Sequence, residues 1–114
     1  TLAYQGYGHR LDLGALRAIT EFATGGLWPD VTFYLNLPVE EGLRRKANGD
    51  PLEWNRMERK QIEYHQRVAA GYMELARAEP ARWVILDAQQ DIEVIQGMIR
   101  EEVRERLNVI RRAL

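Results

Sequence analysis

Two histidines, no cysteine and no serine leave this 114-residue chain few of the side chains that carry covalent or metal chemistry. His9 and His65 stand far apart and show no His-x-x-x-His spacing, so a metal site is not expected. Without Ser or Cys, threonine is the one remaining hydroxyl or thiol nucleophile of the kind used in acyl transfer. His65 falls near the apolar stripe of a helical segment and reads as a structural, hydrogen-bonded histidine. Gly6-Tyr7-Gly8 holds two glycines of a dinucleotide fingerprint, but Leu11 occupies the third position and no strand precedes it, so the segment reads as a turn. A Gly-x-x-x-x-Gly-Lys-Ser/Thr phosphate loop does not occur. What remains is a set of cations: Arg44, Arg45 and Lys46 before the breaker Asn48-Gly49-Asp50-Pro51, and Arg56, Arg59 and Lys60 after it. A charge run beside a loop is ordinarily a solvated face. Mobile loops studded with arginine are also what phosphoryl-transfer enzymes close over a nucleotide.

The elements that would hold these residues alternate. Leu13, Leu16, Ile19, Phe22 and Ala23 recur at helical spacing, with Asp12 placed to cap the first turn and Gly25-Gly26 to end it, so a helix is expected over 12–24. Val31 to Leu37 is a β-branched and aromatic run bounded by Pro38, and its near-continuous apolar character predicts a strand buried on both faces. A short helix follows over Val39 to Ala47, then a loop over 47–55, then a long helix from Arg56 to Ala78 that Glu79-Pro80 stops. Arg82 to Ala88 predicts a second strand. Asp91 reads as the N-cap of a last helix with the stripe Ile92, Ile95, Ile99, Val103 and Leu107. Strands alternating with helices predict a parallel α/β sheet. Two strands are fewer than such a sheet normally has, and the first residues begin with no cap or turn signal, as though in the middle of a helix.

Length is that of one domain. A formal net charge of −1 gives no field to recruit nucleic acid or anionic lipid. The longest apolar run is too short to span a bilayer, and no targeting segment is legible. The lack of cysteine suits a reducing compartment, which makes the cytoplasm the expected location.

Several strings together resemble one family. Thr1-Leu2-Ala3-Tyr4-Gln5-Gly6-Tyr7-Gly8, followed by Leu11-Asp12-Leu13 and by the run from Phe22 to Leu43 (FATGGLWPDVTFYLNLPVEEGL), is similar to the thymidylate kinases. The segment 55–76 resembles that family's lid and following helix, and 84–95 its last strand and final helix entry. The resemblance covers essentially the whole chain in order; AYQGYG and FATGGLxPD are its specific strings, and the helices are generic.

That resemblance implies a P-loop nucleoside monophosphate kinase fold, of which residues 1–114 would be the C-terminal part, with two parallel strands, flanking helices and a lid at about 47–60. It implies transfer of the γ-phosphoryl group of ATP to dTMP, giving dTDP for dTTP synthesis, with Mg2+ accompanying ATP. The family's P-loop lysine, magnesium site and Asp-Arg pair lie upstream of the position matching Thr1. The chain alone is therefore expected to be inactive, with the missing N-terminal half as its first partner. A homodimer is the family's general assembly; no nucleic acid or membrane partner is implied. Thr1 matches a residue at the thymine edge, Tyr4 one that packs on the deoxyribose and excludes a 2′-hydroxyl, and Gln5 a polar neighbour of the base. Arg56 matches the lid arginine with a catalytic role, while Arg44, Arg45 and Arg59 are further lid candidates. Asp87, Ala88 and Gln89 match the adenine-side loop, at the carboxyl end of a strand where ligands of open α/β sheets bind. Two departures stand out: Gly8-His9-Arg10 where Gly-Arg-Gly is frequent, and Asn55-Arg56 where Asp-Arg is common. The alternatives are a non-catalytic α/β binding or assembly module, or another nucleotide kinase of the same fold.

Overall fold

The computed structural model describes residues 1–47, 50–52, 56 and 59–114. The chain opens in a π-helix, Leu2–Gly8. Helix α1 (Leu13–Thr24) is capped as its sequence requires: Asp12 Oδ1 accepts from the Ala15 N–H at 2.7 Å. At its other end Gly25 turns left-handed at φ +64°, which lets the Gly25 and Gly26 N–H groups reach the Phe22 and Glu21 carbonyls. Strand β1 (Thr32–Asn36), helix α2 (Val39–Lys46), helix α3 (Arg59–Ala78), strand β2 (Trp83–Asp87) and helix α4 (Ile92–Ala113) follow. The two strands pair in parallel, from Thr32 opposite Trp83 to Asn36 opposite Asp87, as the alternation of elements predicts. Most of the expected loop at 47–55, including Asn48, Gly49 and Asn55, lies outside the described residues, as do Met57 and Glu58 of the lid string.

Helix α3 organises the molecule. The π-helix lies along it, and α2 and β2 pack on it as well. Ala3, Val68 and Leu75 are buried together, ringed by Leu2, Tyr7, Tyr64, Tyr72 and Trp83. Gly6-Tyr7-Gly8 is not the expected turn: it closes the π-helix, and its glycines answer to packing. A β-carbon on Gly8 would stand 2.7 Å from Tyr64 Cε2 and 2.9 Å from Val68 Cγ2, both on α3.

The apolar stripes form with the expected spacing but are only partly covered. Leu13 and Leu16 at the start of α1 are half-buried, whereas Phe22 is 92% exposed; in α4, Ile95 and Ile99 are half-buried and Ile92 is 84% exposed. Asp91 occupies the N-cap position of α4 without a side-chain hydrogen bond to the cap. The expectation that β1 is buried on both faces is not met, since Leu35 is 52% exposed. Alternate residues of a strand face opposite ways. Tyr34 packs on α3, while the sheet, two-stranded among the described residues, is narrower than one sandwiched between helices on both faces. The radius of gyration agrees: it is 17.0 Å, against about 13 Å for a compact domain of this length.

Candidate functional site

At the carboxyl end of β1 the chain passes through Leu37 and Pro38 into α2. Pro38, with φ −53°, is the N-cap residue. The corner between this turn, the π-helix and α3 forms an open cavity of about 290 Å³. Three phenol rings (Tyr4, Tyr34 and Tyr72) line it, with Lys46 and His65 contributing the polar remainder and Leu37, Leu43 and Val68 the apolar floor. The phenols sit close enough to sense one another. Burial raises the hydroxyl pKa of Tyr34 above the ordinary value, as do the neighbouring Tyr72 and Tyr4 hydroxyls; burial and Tyr4 do the same for Tyr72. These two phenols therefore stay protonated at neutral pH and can donate hydrogen bonds.

Of the residues expected to meet the nucleotide, Tyr4 alone lines this cavity. It is 43% exposed, so it is neither a core aromatic nor a free surface ring. Thr1, the N-cap of the same π-helix, and Gln5 within it are exposed, and the Thr1 carbonyl accepts from the Gln5 N–H at 2.8 Å. Asp87, Ala88 and Gln89 lie at the same sheet edge, because the Ala88 N–H donates to the Asn36 carbonyl at 2.9 Å. The Asp87 carboxylate caps its own turn by accepting from the Gln89 N–H at 2.9 Å.

The lid arginines are dispersed. Glu41 on α2 takes both Arg44 and Arg45, at 2.6 Å to Arg44 Nη2 and 2.8 Å to Arg45 Nε. Hydrogen bonds from Arg44 and then Arg45 hold its carboxyl down at about 2. Arg59 pairs with Glu63 one turn along α3 at 3.1 Å. Arg56 is exposed in a turn, its N–H donating to the Leu52 carbonyl at 3.1 Å.

Sequence reasoning did not place Tyr34 or Tyr72 in a site, named Lys46 only within the run of cations beside the loop, and read His65 as structural. A signal existed: His65, Val68, Ala69 and Tyr72 share one face of α3 at i, i+3, i+4 and i+7. His65 is half-buried on the cavity wall with its ring edge-on to Tyr64 at 5.4 Å, a packing contact. His9 pairs with the Tyr64 hydroxyl at 3.3 Å, and Arg10 takes a left-handed φ of +57°. Where the family often has Gly-Arg-Gly, the second glycine position is thus a conformation that glycine adopts freely.

Among the described residues no group of three or more His, Asp or Glu side chains is placed to hold a metal ion. Nor is any described helix long and apolar enough to cross a membrane.

A family model described as thymidylate kinase matches residues 1–99. The chain is 52% identical to the thymidylate kinase of Roseiflexus sp. (strain RS-1) over 111 residues, covering 87% of this chain and 48% of that protein. It is 49% identical to that of Roseiflexus castenholzii, with the same coverage, and 42% identical to that of Herpetosiphon aurantiacus, over 94% of this chain and 52% of that protein. The chain thus spans about half the length of the curated relatives it matches. Its two parallel strands and flanking helices are its share of that family's P-loop nucleoside monophosphate kinase fold. The chain belongs to the thymidylate kinase family.

Proposed function

We propose that this chain is the C-terminal part of a thymidylate kinase, supplying one wall of the dTMP site, the lid and the adenine-side loop. In the reaction a phosphate oxygen of dTMP attacks the γ-phosphorus of ATP, the bond to the β,γ-bridging oxygen breaks, and dTDP and ADP leave. Such transfer demands in-line placement and neutralisation of spreading charge rather than a covalent partner. The observation that carries the reading is the position of Tyr4: within the family string, it stands on a cavity wall at the carboxyl end of β1, where open α/β sheets bind ligands. Thr1 and Gln5 on the same helix meet the base, and Tyr4 meets the sugar.

On the other side of the same edge, Asp87, Ala88 and Gln89 face the adenine. Arg56 closes with the lid and, with Arg44, Arg45 and Arg59 near it, offsets phosphate charge. Arg44 and Arg45 must leave Glu41 to do so, a modest demand for exposed ion pairs. Magnesium bound with ATP would supply charge neutralisation on the phosphates. The N-terminal half of the same domain is the first partner; the single neighbour of β1 among the described residues and the exposed Phe22 and Leu35 support it. Dimerisation of the complete protein and a cytoplasmic location complete the reading.

The test is ADP release in a coupled assay with dTMP, ATP and magnesium. The complete protein containing this sequence should turn over dTMP, and the 114-residue chain alone should not. No dTMP-dependent ADP release from the complete protein would overturn the kinase reading. Turnover by the isolated chain would overturn the assignment of phosphate alignment to the other half.

A further inference from the structure

Tyr4 does not hold its own place. The π-helix that carries it is seven residues long, and Thr1 at its N-cap makes no side-chain capping bond, so the ring direction is decided by what it packs against. Two rings of α3 do this. Tyr64 and Tyr72 are eight residues apart, just over two turns and about 12 Å along the axis, and Tyr4 lies 6.3 Å from each. The two supports differ in kind. Tyr64 is tilted 50° to Tyr4 and is engaged by His9, 4.9 Å away, in the segment that ends the π-helix. Tyr72 meets Tyr4 edge to face at 85°, the favourable aromatic geometry, and it also stacks on Tyr34 of β1 at 5.0 Å and 22°. Through Tyr72, therefore, Tyr4 is referred to the hydrogen-bonded sheet.

We infer that Tyr72 is a positioning residue that fixes the Tyr4 ring, and so sets discrimination between deoxyribose and ribose nucleotides. The inference rests on the reading of Tyr4 above. Rejecting a 2′-hydroxyl sterically requires a wall that cannot yield by the size of one oxygen atom. An apolar wall that yields separates such pairs poorly. A ring backed by Tyr72 and Tyr34 does not yield, whereas the same ring on a short, uncapped helix would.

The experiment uses the complete protein and compares kcat/KM for dTMP with that for ribothymidine 5′-monophosphate. Tyr72→Leu should lower the deoxyribose-to-ribose ratio by about tenfold, mostly through faster turnover of the ribose substrate. Tyr72→Phe, which keeps the ring, should preserve the ratio. Adding Tyr72→Leu to Tyr4→Ala should change it no further than Tyr4→Ala alone, because both act through one ring. An unchanged ratio in Tyr72→Leu, when Tyr4→Ala alters it, overturns the inference and leaves the reading of Tyr4 standing. An unchanged ratio in Tyr4→Ala overturns both. Should Tyr72→Leu fail to fold, Tyr34→Leu carries the test: it removes the backing stack and should lower the ratio, and no change would overturn the inference.

Discussion

Tyr7 packs on the bare α-carbon of Gly71, so closely that a β-carbon at Gly71 would stand 2.5 Å from Tyr7 Cγ and 2.6 Å from Tyr7 Cβ. These are atoms near the Tyr7 backbone and cannot swing aside as a side-chain tip can. The contact sets how near the π-helix approaches α3, and with it the place of Tyr4 between Tyr64 and Tyr72.

Gly71→Ala should destabilise the protein by about 1–3 kcal/mol, the usual range for overpacking. Gly6→Ala is the control, because its added β-carbon would meet chiefly the movable Leu13 Cδ2 tip. Its cost should be smaller, and chemical denaturation of the two variants measures the difference. Equal costs would mean that the Tyr7–Gly71 contact does not set the spacing.

Arg10 holds a left-handed φ of +57°, a conformation that costs a residue with a β-carbon about 1 kcal/mol more than glycine. Arg10→Gly should therefore raise the denaturation midpoint, less the entropy that glycine adds to the unfolded chain. A lowered midpoint would show that the arginine side chain contributes more than its backbone costs.

Arg82 joins the ends of both strands. Its guanidinium donates to Thr32 Oγ1 at 2.8 Å and to Glu79 Oε2 at 2.6 Å, and lies near the Trp83 ring at 5.4 Å. The Arg82 hydrogen bond is the main cause holding the Glu79 carboxyl below its ordinary value of 4.5. A lowered folded-state pKa contributes stability above the ordinary carboxylate range, and that contribution is lost as pH falls through the folded value. Glu79→Gln should thus lower stability at neutral pH, and the melting temperature with it, by no more than about 1 kcal/mol of stability for a carboxylate so exposed. The gap to the parent should close in strongly acidic buffer. A gap that persists there would assign the effect to packing instead of charge.

Arg56 stands in an exposed turn before α3. If the lid carries it over the nucleotide, Arg56→Ala in the complete protein should lower kcat by about tenfold to a thousandfold, like other preorganised donors, and raise the KM for dTMP far less. Lysine should rescue only in part, keeping the charge but not the planar fork. An unchanged kcat would return Arg56 to the solvated surface.

Much of this protein is determined by local sequence. The Asp12 cap and Gly25-Gly26 stop bound α1, Pro38 and Glu79-Pro80 punctuate the elements, and the β-branched and aromatic runs become the paired strands, because capping, backbone restriction and side-chain periodicity act over a few residues. The family, too, was legible, since AYQGYG and FATGGLxPD are contiguous strings. Tertiary structure alone decided the rest. Gly6-Tyr7-Gly8 looks like a turn by composition, and only the approach of Tyr64 and Val68 to Gly8 shows why glycine stands in a helix. Burial of β1 could not be read from its apolar run, because burial depends on neighbours and the sheet has only two strands among the described residues. Tyr4, Tyr34 and Tyr72 come from three different elements, far apart in sequence, and meet only when the π-helix and β1 dock on α3. No local pattern encodes that meeting, because it is set by how three separately formed elements pack together.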